Sequence, residues 1–334
     1  MQTVLVIALM AVLLGAPLPV LAQSATPVAS VPSAASGDFA GLVDIGGRSL
    51  YLECHGSGSP TVVLVAGGRS SARYWTADLL HPDAPRQMVM PAVAESTRVC
   101  AYDRPGTYAE IEGEIVPSRS DAVPQPRTAS EMVDELHALL AAADVPGPYV
   151  LAGHSWGGFV ARLYASTYPD EVVGLILVDA YSELIADVMP PELWQALVRL
   201  NQDLGADVVR EIPGYGDAET TGYGADDAVM REAVAASPLA PLPLAVLAHN
   251  RPFAVAEETL AGYGFTSRGL EAFLREANAK LATLVPSARF FVAFDSGHDI
   301  HQDQPALVSE AIRQVVAGVR NPDTWYDLAS CCAE

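Results

Sequence analysis

Gly153-His154-Ser155-Trp156-Gly157, followed by Gly158, brings together residue types that support nucleophilic acyl transfer. The apolar run Tyr149–Gly153 leads straight into this G-x-S-x-G and a helical pattern, Gly157–Thr167, leads straight out. A serine projected at such a strand-to-helix turn needs backbone angles that crowd the residues two before and two after it, and glycine relieves the crowding. The turn also sets Ser155 at a helix N-terminus, where the positive end of the dipole favours a developing oxyanion.

A serine hydroxyl attacks efficiently only when a base takes its proton. Of seven histidines, His298 in Phe294-Asp295-Ser296-Gly297-His298 stands just past the last apolar strand, where a loop returns it to the strand tips. His301 is close by, His137 falls in a helix, and His154 flanks the serine as a packing or supporting residue. His55, His81 and His249 read as loop or strand-end residues. The acid that orients the base is expected at Asp179, an ionisable side chain ending the apolar run GLILVD, with Glu257 or Glu258 in reserve. An oxyanion needs two preorganised N–H donors: Trp156, following the serine, and Gly68, in the glycine turn after Thr61–Ala66. This chemistry requires neither a cofactor nor a metal, and no Cys/His spacing suggests a metal site.

Apolar strand runs alternate with helical patterns, the signature of a βαβ sheet. The expected strands are Ser49–Cys54, Thr61–Ala66, Thr97–Tyr102, Tyr149–Gly153, Val173–Asp179, Leu242–Ala248 and Arg289–Asp295. Near-continuous runs such as TVVLVA suit parallel strands buried on both faces. Ala129–Ala143 repeats apolar positions three and four apart, and Pro305–Gly318 opens with proline in its first turn; both read as helices. Between Tyr181 and Pro241 the alternation breaks into helix-like pieces, Pro191–Leu204 and Ala225–Ala236, without a convincing strand. An insertion of that size between two strands is expected to form a helical cap over the sheet edge.

Ahead of this domain, Val4–Ala22 is an apolar stretch ending in small residues, and a Ser/Ala/Pro-rich segment follows. The expected organisation is a signal peptide over 1–22, a flexible leader over 23–40, and a catalytic domain over 41–334 with its cap at about 181–241. No Lys or Arg precedes the apolar run, so an uncleaved membrane anchor is the alternative, and the location is secreted or periplasmic if cleavage occurs. The 19 basic and 40 acidic residues give a net charge of −21, which repels phosphate backbones and argues against nucleic acid as a partner. Cys54 and Cys100 each fall in an expected strand; they are either a disulfide, if those strands are neighbours, or two buried thiols. Cys331 and Cys332 receive no role.

The glycine turn VAGGRSS, then YDRPG at Tyr102–Gly106, GHSWGG, GLILVDA and the terminal SGHDIHQDQP occur in the order found in the α/β-hydrolase family. From about Gly41 to Val319 the chain resembles that family. The resemblance implies a mostly parallel eight-stranded sheet flanked by helices, a Ser155–His298–Asp179 triad, and adjacent strands for Cys54 and Cys100, which favours the disulfide. Three departures stand out. Ala66-Gly67 replaces the usual His-Gly, Thr107-Tyr108-Ala109 follows YDRPG, and the acid at the usual later strand is absent, as in relatives that carry it one strand earlier. The expected reaction is hydrolysis of a small-molecule ester through an acyl-enzyme, with Trp75, Tyr108 and Trp194 among the aromatics that could shape the substrate. Amide or peptide cleavage on the same fold is the second reading, and a non-catalytic binding module the third.

Overall fold

The computed structural model describes residues 37–206 and 210–327, apart from the side chains of 205, 206, 326 and 327. Eight strands form one sheet: β1 Phe39–Asp44, β2 Ser49–His55, β3 Thr61–Val65, β4 Val99–Tyr102, β5 Tyr149–His154, β6 Val172–Val178, β7 Leu244–His249 and β8 Arg289–Ala293. Their spatial order is β1-β2-β4-β3-β5-β6-β7-β8. β2 runs antiparallel to both β1 and β4, and every pairing from β4 to β8 is parallel. β3 to β7 are almost wholly buried because helices cover both faces, which explains their continuous apolar runs.

Four of the covering helices are α1 Ala129–Ala142, α2 Trp156–Thr167, α5 Ser267–Leu281 and α6 Pro305–Arg320. α1 starts at a capping box: the Thr128 hydroxyl accepts from the Glu131 N–H while the Glu131 carboxylate accepts from the Thr128 N–H. Between β6 and β7 lies the cap, a short helix Ile185–Val188 followed by α3 Pro191–Ala206 and α4 Asp227–Ala236.

Several elements differ from the sequence expectation. β1 begins at Phe39, inside the segment read as leader, because its alternating face is only half buried and gives a weak apolar signal. The region read as strandless carries a two-residue hairpin, Glu211–Ile212 with Gly216–Asp217. A further hairpin, Tyr108–Ile111 with Glu114–Pro117, and the helices Glu257–Gly262 and α5 were not expected. The signal-peptide segment, Cys331 and Cys332 lie outside the described residues. Among the described residues no helix is long and apolar enough to cross a membrane.

Cys54 on β2 faces Cys100 on β4 in direct register, and the two are joined by a disulfide.

Candidate active site

Ser155 sits between β5 and α2 with φ 50° and ψ −122°, a left-handed conformation that a non-glycine residue holds only when its surroundings enforce it. They do so here through backbone bonds. The Ser155 N–H donates to the Val178 carbonyl at 3.0 Å, and the Ser155 carbonyl accepts from Gly158 at 2.9 Å and Tyr181 at 3.0 Å. The glycine spacing is set by contact: a Cβ on Gly153 would stand 2.4 Å from the Gly157 carbonyl oxygen, and one on Gly157 2.3 Å from the Val65 and Ala66 carbonyl oxygens.

Asp179, at the tip of β6, also has a positive φ, 45°, and its N–H donates to the Leu247 carbonyl at 2.7 Å. The loop after β8 brings in His298, whose Nδ1 donates to Asp179 Oδ2 at 2.5 Å. That bond fixes the tautomer of the neutral ring and leaves the lone pair on Nε2. Asp303 braces the loop by accepting from the Gly297 N–H at 2.7 Å and the Ser296 hydroxyl at 3.2 Å. Burial alone would push Asp179 up, but the hydrogen bonds from His249 and His298 outweigh it and hold the carboxyl well below the usual carboxylate range.

Ser155, Asp179 and His298 line one cavity of about 150 Å³. Its walls are apolar, including Leu197, Leu200 and Leu204 from α3 and Leu270, Leu274 and Ala277 from α5. The reserve acids are not part of it: Glu257 and Glu258 are exposed in the first turn of Glu257–Gly262, and Glu257 accepts from the Ser267 N–H. Trp75, Tyr108 and Trp194 do not line it either; Tyr181, Tyr223 and Phe253 do. Trp75 is instead packed against His301 in the core. Tyr223 comes close enough for its phenol to interact with the Ser155 and Thr221 side chains, and burial raises its pKa.

The glycine turn after β3 lies over the elbow. A Cβ on Gly67 would be 3.5 Å from Ser155 Cβ, and one on Gly68 3.5 Å from Trp156 Cβ. The wholly buried Arg104, from YDRPG, donates to the Ala66 carbonyl at 2.8 Å and the Gly67 carbonyl at 2.6 Å. Glu219 of the cap accepts from the Arg69 N–H at 2.7 Å.

His154 is buried, and its Nε2 donates to the His298 carbonyl at 3.0 Å. Burial, aided by the nearby His298 ring, pushes it down to about 3, so it is neutral at physiological pH.

Three residues of the cluster were not found from sequence. His249, ending β7, places Nδ1 at 2.6 Å from Asp179 Oδ2 and Nε2 at 2.6 Å from Glu271 Oε2. Asn278 Nδ2 donates to Asp179 Oδ1 at 3.4 Å. Glu271 and Asn278 are seven apart on α5, so they share a helix face, and that face also buries Leu270, Ala277 and Leu281. Polar residues recurring on the apolar stripe were the available signal.

The fold agrees with the relatives. Residues 62–311 match the model of the alpha/beta hydrolase family. The chain belongs to that family. An AB hydrolase superfamily protein of Gibberella zeae is 24% identical over 301 residues, covering 78% of this chain and 87% of its own length. An uncharacterized protein of Schizosaccharomyces pombe is 36% identical over 150 residues, 40% of this chain, but the match takes in 26% of that protein. The chain thus spans only about a quarter of the length of the first curated relatives it matches. Among solved structures, a thermophilic esterase of Thermogutta terrifontis superposes with a TM-score of 0.50 at 21% identity, covering 85% of this chain and 99% of the esterase.

Proposed function

We propose that this hydrolase cleaves carboxylic esters by a serine acyl-enzyme mechanism. The supporting observation is the 2.5 Å bond between His298 Nδ1 and Asp179, at the wall of the one cavity that Ser155 also lines. Ser155 Oγ attacks the ester carbonyl carbon as His298 Nε2 takes the hydroxyl proton, and the N–H groups of Trp156 and Gly68 receive the oxyanion. Collapse of the tetrahedral intermediate breaks the ester C–O bond, and His298 returns its proton to the departing alkoxide, which leaves as an alcohol. Water, deprotonated by His298, then attacks the acyl-enzyme, releasing the acid and restoring the serine.

The cavity favours an ester over an aminopeptidase substrate. Recognition of a free α-amino group calls for an available carboxylate, and Asp179, the only carboxylate in the lining among the described residues, already accepts from two imidazoles. A volume of about 150 Å³ with largely apolar walls holds an apolar group of about six carbons, as a cavity of that size holds benzene. The proposed substrate is therefore an ester with a short apolar acyl group. Export is part of the same proposal, supported by the Val4–Ala22 pattern and by a disulfide suited to an oxidising compartment.

The test is labelling by a fluorophosphonate, expected in the wild type and absent in Ser155→Ala. It is followed by turnover of p-nitrophenyl esters of graded acyl length beside aminoacyl anilides. Labelling that survives Ser155→Ala would falsify the nucleophile assignment, and preferential anilide cleavage would replace the esterase reading by a peptidase one.

A further inference from the structure

Asp179 Oδ2 is shared. It accepts from His298 at 2.5 Å on one side and faces His249 Nδ1 at 2.6 Å on the other. His249 in turn faces a second carboxylate, Glu271 Oε2, at 2.6 Å, while Glu271 Oε1 accepts from the Phe253 N–H at 2.9 Å. A neutral imidazole has one N–H and one lone pair, and it cannot satisfy carboxylate oxygens at both nitrogens. With Asp179 and Glu271 both ionised, the geometry calls for a proton on each nitrogen of His249, making it an imidazolium held between two carboxylates. His249, Asp179 and Glu271 are all buried, so the charges act on one another with little screening by water.

We infer that His249 and Glu271 are positioning residues that govern how much of the Asp179 charge is available to His298. This rests on the triad reading above, in which His298 is the base. The ring centroids of His249 and His298 are 6.4 Å apart. A fixed cation at that range opposes protonation of His298, and Glu271, one ring further out, offsets it only in part. Of the remaining groups around His298, His154, with its ring centroid at 4.6 Å, is neutral and Phe253 is apolar, while the exposed Arg251 on the loop side is paired with Asp303 at 3.8 Å. Asp299 reaches His154 at 3.7 Å from the solvent side, and His301 packs behind it as a buried neutral ring. The arrangement also restrains Asp179, whose other oxygen accepts from the His249 backbone N–H at 3.3 Å and from Asn278. Burial disfavours the charged ring, yet the two carboxylates carry His249 up to about 10, in keeping with the geometry.

The experiment follows fluorophosphonate labelling of Ser155 against pH in the wild type and His249→Gln, with nitrogen-15 NMR of the histidine rings in the wild type and Glu271→Gln. In His249→Gln the acid limb of the labelling rate is expected to move up by about one pH unit, about tenfold slower labelling on that limb, and to meet the wild-type rate at alkaline pH. An unchanged midpoint, or an equal loss of rate at every pH, overturns the inference, since a merely structural role would give either. NMR is expected to show two protonated nitrogens on His249 in the wild type at pH 7–8, and loss of the second proton at lower pH in Glu271→Gln. A neutral His249 in the wild type overturns it too, even if His249→Gln does not fold. Absence of labelling in the wild type would instead strike at the nucleophile reading and leave the NMR result to decide this one.

Discussion

Arg104 and Glu219, both wholly buried, pair at 2.6 and 2.9 Å and so join the sheet to the cap. Arg104 also donates to the carbonyls of Ala66 and Gly67, and Glu219 also holds the Arg69 N–H. The glycine turn beside Ser155 is thereby gripped from both sides. Glu219→Gln leaves a buried guanidinium without its counter-charge, which is expected to cost about 3–5 kcal/mol of stability. Guanidinium denaturation checks this, as a lower midpoint with an unchanged slope. A loosened turn should also lower kcat more than it raises KM.

Asp179→Asn is expected to lower kcat for p-nitrophenyl esters by about 10⁴, the scale on which loss of the orienting acid acts in other triads. Glu257→Gln and Glu258→Gln, at exposed positions outside the cavity, should stay within about twofold of the wild type. Parallel kinetics on the three variants decide the acid, and a near-normal rate for Asp179→Asn sinks the assignment.

The two sides of this cluster are differently legible, and the reason is sequence distance. Ser155, His298 and Asp179 stand out as candidates because each lies at or just past the end of an apolar strand run. His249 also ends a strand, but its meaning depends on Glu271, 22 residues on, and on Asp179, 70 residues back. Its pattern within the chain is that of any strand-end histidine. β1 was missed because an edge strand with one covered face lacks the continuous apolar run that made β3 and β5 plain. The cap was legible as an interruption, whereas the role of α5 in completing the cavity depends on how it folds back over β7.

His154 should make the protein acid-sensitive over a defined window. Its folded value, about 3, lies below the ordinary histidine value of 6.5, so between those limits the unfolded chain binds the extra proton and stability falls as pH falls. His249 has the opposite sign: raised to about 10, it stabilises fully below pH 6.5, and that contribution is lost as pH rises through 10. Denaturation curves at pH 4.5, 6.5 and 9 should show His154→Gln flattening the acid slope relative to the wild type. An identical slope in the two proteins would refute the prediction.

The Cys54–Cys100 bond closes a loop with a sequence separation of 46. On the chain-entropy account, Cys54→Ser with Cys100→Ser should lose up to about 4 kcal/mol, read from unfolding of the variant against the oxidised wild type. Neither cysteine should react with an alkylating reagent before unfolding; ready modification of the native protein would contradict the bond.

Leu200→Trp fills part of the apolar cavity from α3. The ester panel should then shift its optimum towards shorter acyl groups, with the Ser155 labelling rate by a small fluorophosphonate changed by less than about threefold. Equal loss across all chain lengths would place the acyl group elsewhere.

The leucines of α3 and the elbow that carries Ser155 come from separate stretches of chain. The elbow glycines abut neighbouring carbonyl oxygens so closely that no side chain can be added there, whereas the leucines of α3 meet the cavity from the cap. Diversification of substrate range, in nature or in a library, is thus channelled away from the elbow and onto the wall residues, among which the leucines of α3 take no part in the backbone bonds that hold Ser155.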